Sequence, residues 1–326
     1  MVLSLRASLR PIGFGVVTSI MLAACGARAT APGPVVPLKI WTSTLGGSYH
    51  VVGEAFARVI KTRLPEIDPV VVPSGGSVEN VEALRTGAGD VAVALGDMVY
   101  FAHLENSRAA GSHSRLRGIA VLYRSAVHVI VPKNSRVKEV RDLAGAVIGV
   151  ATGTLALQRQ RTTQILLEAH GLPASSFQIK PLSYDDVRAG FRDGSVQAGV
   201  FATVPPNPLL ADGAANVRLI QFAPEAVERA RVQYPFFQSM TMPPNTHPEQ
   251  PAPIETVGID NLLVCREDLD PELVYQLTKA FIESLGDMQK ALPAVSLPGP
   301  DAAAATPIPL HPGAARYYRE RELLMY

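Results

Sequence analysis

Two short segments of this sequence, Gly46-Gly47-Ser48 and Gly75-Gly76-Ser77, combine residue types suited to holding an anion. Each follows an apolar extended run and opens a stretch whose apolar residues recur at helical spacing. In the first turn of a helix the N–H groups lack intrahelical partners, and the macrodipole adds partial positive charge there. Glycine lets the backbone approach a bound anion and adopt positive φ. The hydroxyls of Ser48 and Ser77 either cap their helices or reach a ligand. Tyr49, one residue past the first loop, either covers such a site or packs on the sheet. Tyr123, in Leu122-Tyr123-Arg124, lies where the chain is expected to cross between two halves. Arg124 itself offers either a bidentate carboxylate partner or a structural guanidinium. Neither glycine loop continues into the Gly-Lys-Ser/Thr of a phosphate-binding P-loop.

Catalytic constellations are not expected. The sequence has no Gly-x-Ser-x-Gly elbow and no His-Glu-x-x-His or Cys-x-x-Cys spacing. Its histidines, at 50, 103, 113, 128, 170, 247 and 311, are scattered, and His128 alternates with valines as an interior or edge histidine would. Asp185 and Asp186 begin a helical stretch, where carboxylates complement the dipole. Cys265 ends the apolar run Leu262-Leu263-Val264 and reads as a buried, inert thiol. No cofactor and no metal are expected.

The elements that must position the two loops follow a regular grammar. Val35–Trp41 reads as a strand, Tyr49–Leu64 as a helix, Val70–Val72 as a second strand. A helix through Val78, Val81 and Leu84 follows, then a third strand at Asp90–Leu95. Later segments repeat the pattern: strands at Val127–Val131, Val147–Val150, Gly199–Phe201 and Val257–Val264, and helices at Thr162–Ala169, Ser183–Phe191 and Pro271–Leu285. Residues 240–253 read as a Pro-rich loop. The alternation predicts an α/β fold with mainly parallel sheets flanked by helices.

Composition sets limits on this reading. A chain of 326 residues, 47% hydrophobic and 18% charged, is long enough for two globular domains. Arg6 and Arg10 precede the apolar stretch Ile12–Ala24 and the sequence Leu22-Ala23-Ala24-Cys25-Gly26, which reads as a secretory leader ending in a lipobox. Residues 1–24 are therefore expected to be a signal peptide, Cys25 a lipidated first residue, and 25–37 a tether. Without Arg6 and Arg10 the formal net charge falls from +1 to −1, so no nucleic-acid partner is expected. With Cys25 taken by lipid, Cys265 has no disulfide partner.

At Gly46-Gly47-Ser48-Tyr49 and Ser74-Gly75-Gly76-Ser77-Val78-Glu79-Asn80 the chain resembles the TAXI family of solute receptors for TRAP transporters. The resemblance continues through Ala94-Leu95-Gly96-Asp97, Leu122-Tyr123, Val127-His128-Val129, Pro206-Asn207-Pro208 and Tyr234-Pro235-Phe236-Phe237. It closes at Leu273–Lys279 and Pro309-Leu310-His311-Pro312-Gly313-Ala314. It implies a two-lobe periplasmic binding protein fold, type II-like, with a hinge: lobe 1 from 38–124 plus 257–326, lobe 2 from 125–256. It implies no enzymatic activity but capture of a small organic acid, a dicarboxylate or an amino acid such as glutamate, for an ion-coupled TRAP permease. A sensory receptor reporting the ligand to a membrane partner is the alternative. The expected location is the periplasmic side of a bacterial membrane, anchored through Cys25.

The ligand residues implied are Thr44, Gly46, Gly47, Ser48, Tyr49, Ser74, Gly76, Ser77, Asn80 and Asp97 on lobe 1, and Tyr123 at the hinge. On lobe 2 they are Thr152, Thr154, Phe201 and Pro206. The chain departs from the family in two places. Leu95-Gly96-Asp97 replaces Gln-Ser-Asp, which removes a polar side chain. Ala151-Thr152-Gly153-Thr154 replaces Gly-Ser-Gly-Thr, with Thr152 and Thr154 as substitutes and Arg159 or Arg161 as a source of charge.

Overall fold

Strand β1 (Val36–Trp41) lies between β2 (Ile67–Val72) and β3 (Val91–Leu95), all parallel, in a computed structural model that describes residues 35–108, 116–153, 156–211 and 216–322. The expected signal peptide, Cys25, most of the tether and Thr154 lie outside the described residues. Helices α1 (Ser48–Arg63) and α2 (Ser77–Thr86) connect these strands, and α3 (Gly96–Arg108) follows β3 directly. A second parallel block has β5 (Val147–Ala151) between β6 (Gln178–Leu182) and β7 (Ala198–Thr203), with α4 (Ala156–Ala169) and α5 (Tyr184–Asp193) as crossovers. The glycine loops therefore stand at the carboxyl ends of parallel strands, where open α/β sheets bind ligands.

Two long strands join the blocks. β4 (Leu116–Pro132) and β10 (Ile254–Arg266) pair antiparallel along most of their length, so the sheet runs β2-β1-β3-β10-β4-β7-β5-β6 without a break. β8 (Val217–Ile220) adds to β4, and β9 (Phe237–Met242) to β10. The expected short strands at Val127–Val131 and Val257–Val264 are parts of these two ribbons. Both ribbons are almost wholly buried, and their polar residues concentrate where they pass between the blocks: Arg124 and Ser125 on β4, Asp260 and Asn261 on β10.

At that crossing Arg124 Nε donates to Asp260 Oδ1 at 2.7 Å, and Nη2 donates to Oδ2 at 3.2 Å, so Arg124 is the structural guanidinium. Gly258 leaves room for it, since a Cβ there would stand 2.2 Å from Arg124 Cδ. Asp260 faces Arg124 in register, and a bulge follows Asn261.

The first block packs on α1 and on the helices Pro271–Glu283 and Pro312–Glu320, with Phe56 edge-on to Phe281. Asp270 caps the first of those helices through Glu272 N–H and Leu273 N–H. Cys265 is fully buried in this core, and burial pushes its thiol up, as expected of an inert cysteine. The second block has its own core around Val129, Val131, Ile148 and Leu166.

His128 is buried and its Nε2 lies 3.1 Å from His247 Nε2. The tautomers that satisfy this pair put a proton on His247 Nε2, donated to His128, and one on His128 Nδ1, which donates to the Phe201 carbonyl. Burial, then His247, pushes the His128 pKa down to about 4. The unfolded chain takes up this proton first, so the stability is present above about pH 6.5 and is lost as pH falls toward 4. His170, His247 and His311 shift in the same direction through burial. Urea unfolding should therefore show stability falling by roughly 2–3 kcal/mol between pH 7 and pH 4.5, and a shallower fall in His128→Gln. An equal slope in that variant would remove His128 as the cause.

Candidate functional site

The N-terminus of α1 is set by a turn in which Gly46 takes φ +77°, Gly47 N–H donates to Thr44 O and Val51 N–H makes the first intrahelical bond to Gly47 O. Gly47 caps the helix without a side chain, and the first turn contains no acidic residue. Its positive end is uncompensated within the helix. The α2 terminus differs. Gly76 holds φ +106°, a region open to glycine, and Glu79 in the first turn accepts from Gly75 N–H at 2.8 Å. That terminus already carries a carboxylate.

Between the two blocks lies a cleft of about 430 Å³. Its first-block wall is Ser43, Thr44, Gly47, Ser48, Tyr49, Gly76, Ser77 and Leu95. The ribbons contribute Tyr123, Ser125 and Asn261, and the second block contributes Arg159 on α4 together with Ala202, Thr203, Val204 and Pro206. The size falls in the usual range for small-molecule sites.

The floor is a closed polar network. Tyr49 O–H donates to Asn261 Oδ1 at 2.8 Å, so the Ser77 hydroxyl, 3.3 Å away, donates to the phenol oxygen. Ser77 Oγ also accepts from Leu95 N–H at 3.0 Å, which ties α2 to the end of β3. Asn261 Nδ2 donates to Tyr123 O and to Ser125 Oγ. Burial pushes the Tyr49 phenol up to about 12 and raises Tyr123 well above its ordinary value, so both stay neutral donors at physiological pH.

Arg159 supplies the charge. Its Nε is buried and meets no hydrogen-bond acceptor among the described residues. Burial raises the pKa of Tyr49, Asp97 and Tyr184, and the nearby Arg159 charge works against that rise. A guanidinium whose Nε is left without an acceptor beside an uncompensated helix terminus is an arrangement for an anion.

Of the residues expected at the site, Thr44, Gly47, Ser48, Tyr49, Gly76, Ser77, Tyr123 and Pro206 line the cleft together. Others stand behind it. Gly46 shapes the turn, while Asn80 Nδ2 donates to Thr42 O and the Ser74 hydroxyl donates to Asn80 Oδ1 at 2.6 Å, holding the loops from below. Asp97 is 2% exposed and accepts from the Thr162 hydroxyl at 2.7 Å and from Met98 N–H, joining α3 to α4. Phe201 is buried against Tyr184 in the second block, and Thr152 is exposed with its amide on Leu182 O. Ser43, Ser125, Asn261 and the Ala202–Val204 segment are additional cleft residues. Ser125 and Asn261 carried a readable signal, as polar residues interrupting apolar strand runs.

Arg161, the other proposed source of charge, is engaged elsewhere: its guanidinium stacks 3.5 Å from the centroid of Phe101 and lies 3.8 Å from Glu105. A larger groove of about 640 Å³ runs beside residues 138–142 and 221–225, but His170 within it has both ring nitrogens engaged, by Leu166 O and Ala223 N–H. Among the described residues no cluster of His, Cys, Asp and Glu could hold a metal ion, and no helix is long and apolar enough to cross a membrane.

Residues 40–321 match the family described as NMT1-like. Among solved structures, the periplasmic sulfonate-binding protein SsuA of a sulfonate ABC transporter from Methylobacillus flagellatus is similar at TM-score 0.53 and 17% identity, covering 78% of this chain and 69% of its own. A protein from Xanthomonas citri solved bound to ATP is similar at TM-score 0.53 and 11% identity, covering 89% of this chain and 99% of its own. These likenesses are of fold: a mixed α/β sheet flanked by helices, as in periplasmic binding proteins.

Proposed function

The chain belongs to the NMT1-like family, and on that premise we propose that it is an extracytoplasmic receptor that captures a small organic acid and hands it to a membrane permease. One observation carries the reading: the buried, unpartnered Nε of Arg159 shares a cleft with the acid-free N-terminus of α1. A carboxylate placed there receives charge-assisted hydrogen bonds from the guanidinium and from first-turn amides. The resemblance to TAXI receptors supports an ion-coupled TRAP permease as partner, and the leader with Cys25 supports a lipid-anchored, periplasmic location. In this reading the lobes are 38–124 with 257–326, and 125–256, and they close about the Arg124–Asp260 crossing.

Native mass spectrometry of protein purified without added ligand, followed by thermal shift with organic acids, tests this. A retained acid, or an acid at 100 times its Kd raising Tm by roughly 5–10 °C, is the expected result. If no organic acid is retained and none shifts Tm, the receptor reading is wrong.

A further inference from the structure

We propose that the cleft selects an acid with one negative charge and an apolar body, such as a short-chain monocarboxylate, and discriminates against dicarboxylates and amino acids. This rests on the anion-receptor reading above and narrows the ligand class.

The charge inventory of the site is the first ground. Among the described residues lining the cleft, Arg159 is the only side chain with a formal charge. A ligand ammonium needs a carboxylate, and the nearby ones are committed: Asp260 to the Arg124 guanidinium, Asp97 to Thr162 and Met98, Glu79 to Gly75 N–H. A second ligand carboxylate needs a second cation. Arg124 is paired with Asp260, and Arg161 lies on Phe101 beside Glu105. Of the other helix ends, that of α2 is already neutralised by Glu79, and that of α4, with no acidic residue in its first turn, holds Arg159 there and so adds to the same anion position. Among the described residues only one anion position is provided.

The wall chemistry is the second ground. Leu95, Ala202, Val204 and Pro206 give an apolar surface, and Leu95 brings only its backbone amide to the network, through Ser77. The floor groups Tyr49, Ser77 and Asn261 spend their hydrogen bonds on one another and on Tyr123 and Ser125. A further charged group on the ligand would meet only neutral hydroxyls, such as those of Ser48 and Thr203, and no opposite charge, and that is what a site uses to reject an analogue.

Calorimetric titration of the full mature chain with matched five-carbon probes tests the inference. Pentanoate is compared with glutarate, which adds a carboxylate, and 2-oxopentanoate with norvaline, which places an ammonium at the same carbon. Glutamate and pentane-1-sulfonate complete the set. Glutarate, norvaline and glutamate should bind roughly 100-fold or more weakly than their singly charged counterparts. Any of the three binding within tenfold of pentanoate overturns the single-charge inference and leaves the receptor reading intact. Binding by pentane-1-sulfonate but not by pentanoate keeps the single charge and overturns the carboxylate head group. If none of the set binds, the single-charge inference is overturned, while the receptor reading stands or falls on the retained-ligand and organic-acid screen above.

Discussion

Arg159→Met is expected to weaken binding of the preferred acid by about 100-fold while leaving the apo protein as stable as before, or slightly more so. The two halves of this result come from one feature. A charge-assisted hydrogen bond to a desolvated anion contributes about 1.5–3 kcal/mol, and losing one partner of such a pair costs more because the other charge is stranded. In the apo protein the Nε pays its desolvation without a partner, so removing it costs nothing in hydrogen bonding. Methionine keeps much of the aliphatic stem in contact. Arg161→Met, two residues along α4, is the matched control. It gives up a stack on Phe101 and should lower stability by about 1 kcal/mol while changing affinity less than twofold. Titration and urea unfolding of both variants check the contrast. A destabilised Arg159→Met with unchanged affinity would show that Arg159 is structural and the anion position lies elsewhere.

That contrast was only partly legible in the sequence. The helix expected at Thr162–Ala169 begins six residues earlier, at Ala156, because Gln158-Arg159-Gln160-Arg161 is helix-forming by propensity yet has no apolar period to announce it. Only the longer helix sends Arg159 to the cleft and Arg161 to Phe101. The first-block half of the site was readable, since glycine, serine and the strand before each loop specify local geometry. What sequence periodicity missed is non-local. Helix α3 carries Phe101 out of the first block's sequence into the aromatic cluster of Tyr234 and Phe236, and Asp97 goes with it to Thr162. The crossing expected at Tyr123 is not a strand end: β4 and β10 continue through the polar residues there, and the polarity marks the cleft floor.

Asn80→Ala is expected to cost about 3 kcal/mol and lower Tm by roughly 6–10 °C. Asn80 is fully buried. Its Nδ2 donates at 2.6 Å to Thr42 O at the end of β1 and at 2.6 Å to Val93 O on β3, and its Oδ1 accepts from Ser74. One side chain thus ties together the strand ends from which both glycine loops depart. Alanine leaves two buried carbonyls short of a donor and opens a small void. Asn80→Asp separates these effects, because it conserves shape and replaces the donor by an oxygen facing two carbonyls. Burial and those carbonyls raise the aspartate's folded pKa above its unfolded value. The neutral acid restores one donor, so its stability is present below the unfolded pKa and lost as pH rises through the folded one. Relative to the parent at each pH, Asn80→Asp should therefore be less destabilised at pH 5 than at pH 8, opposite in sign to the histidine effect. Urea unfolding at the two pH values reads this directly. A deficit equal at both would mean that the void, and not the missing donor, sets the cost, and that the strand ends hold their loops without Asn80.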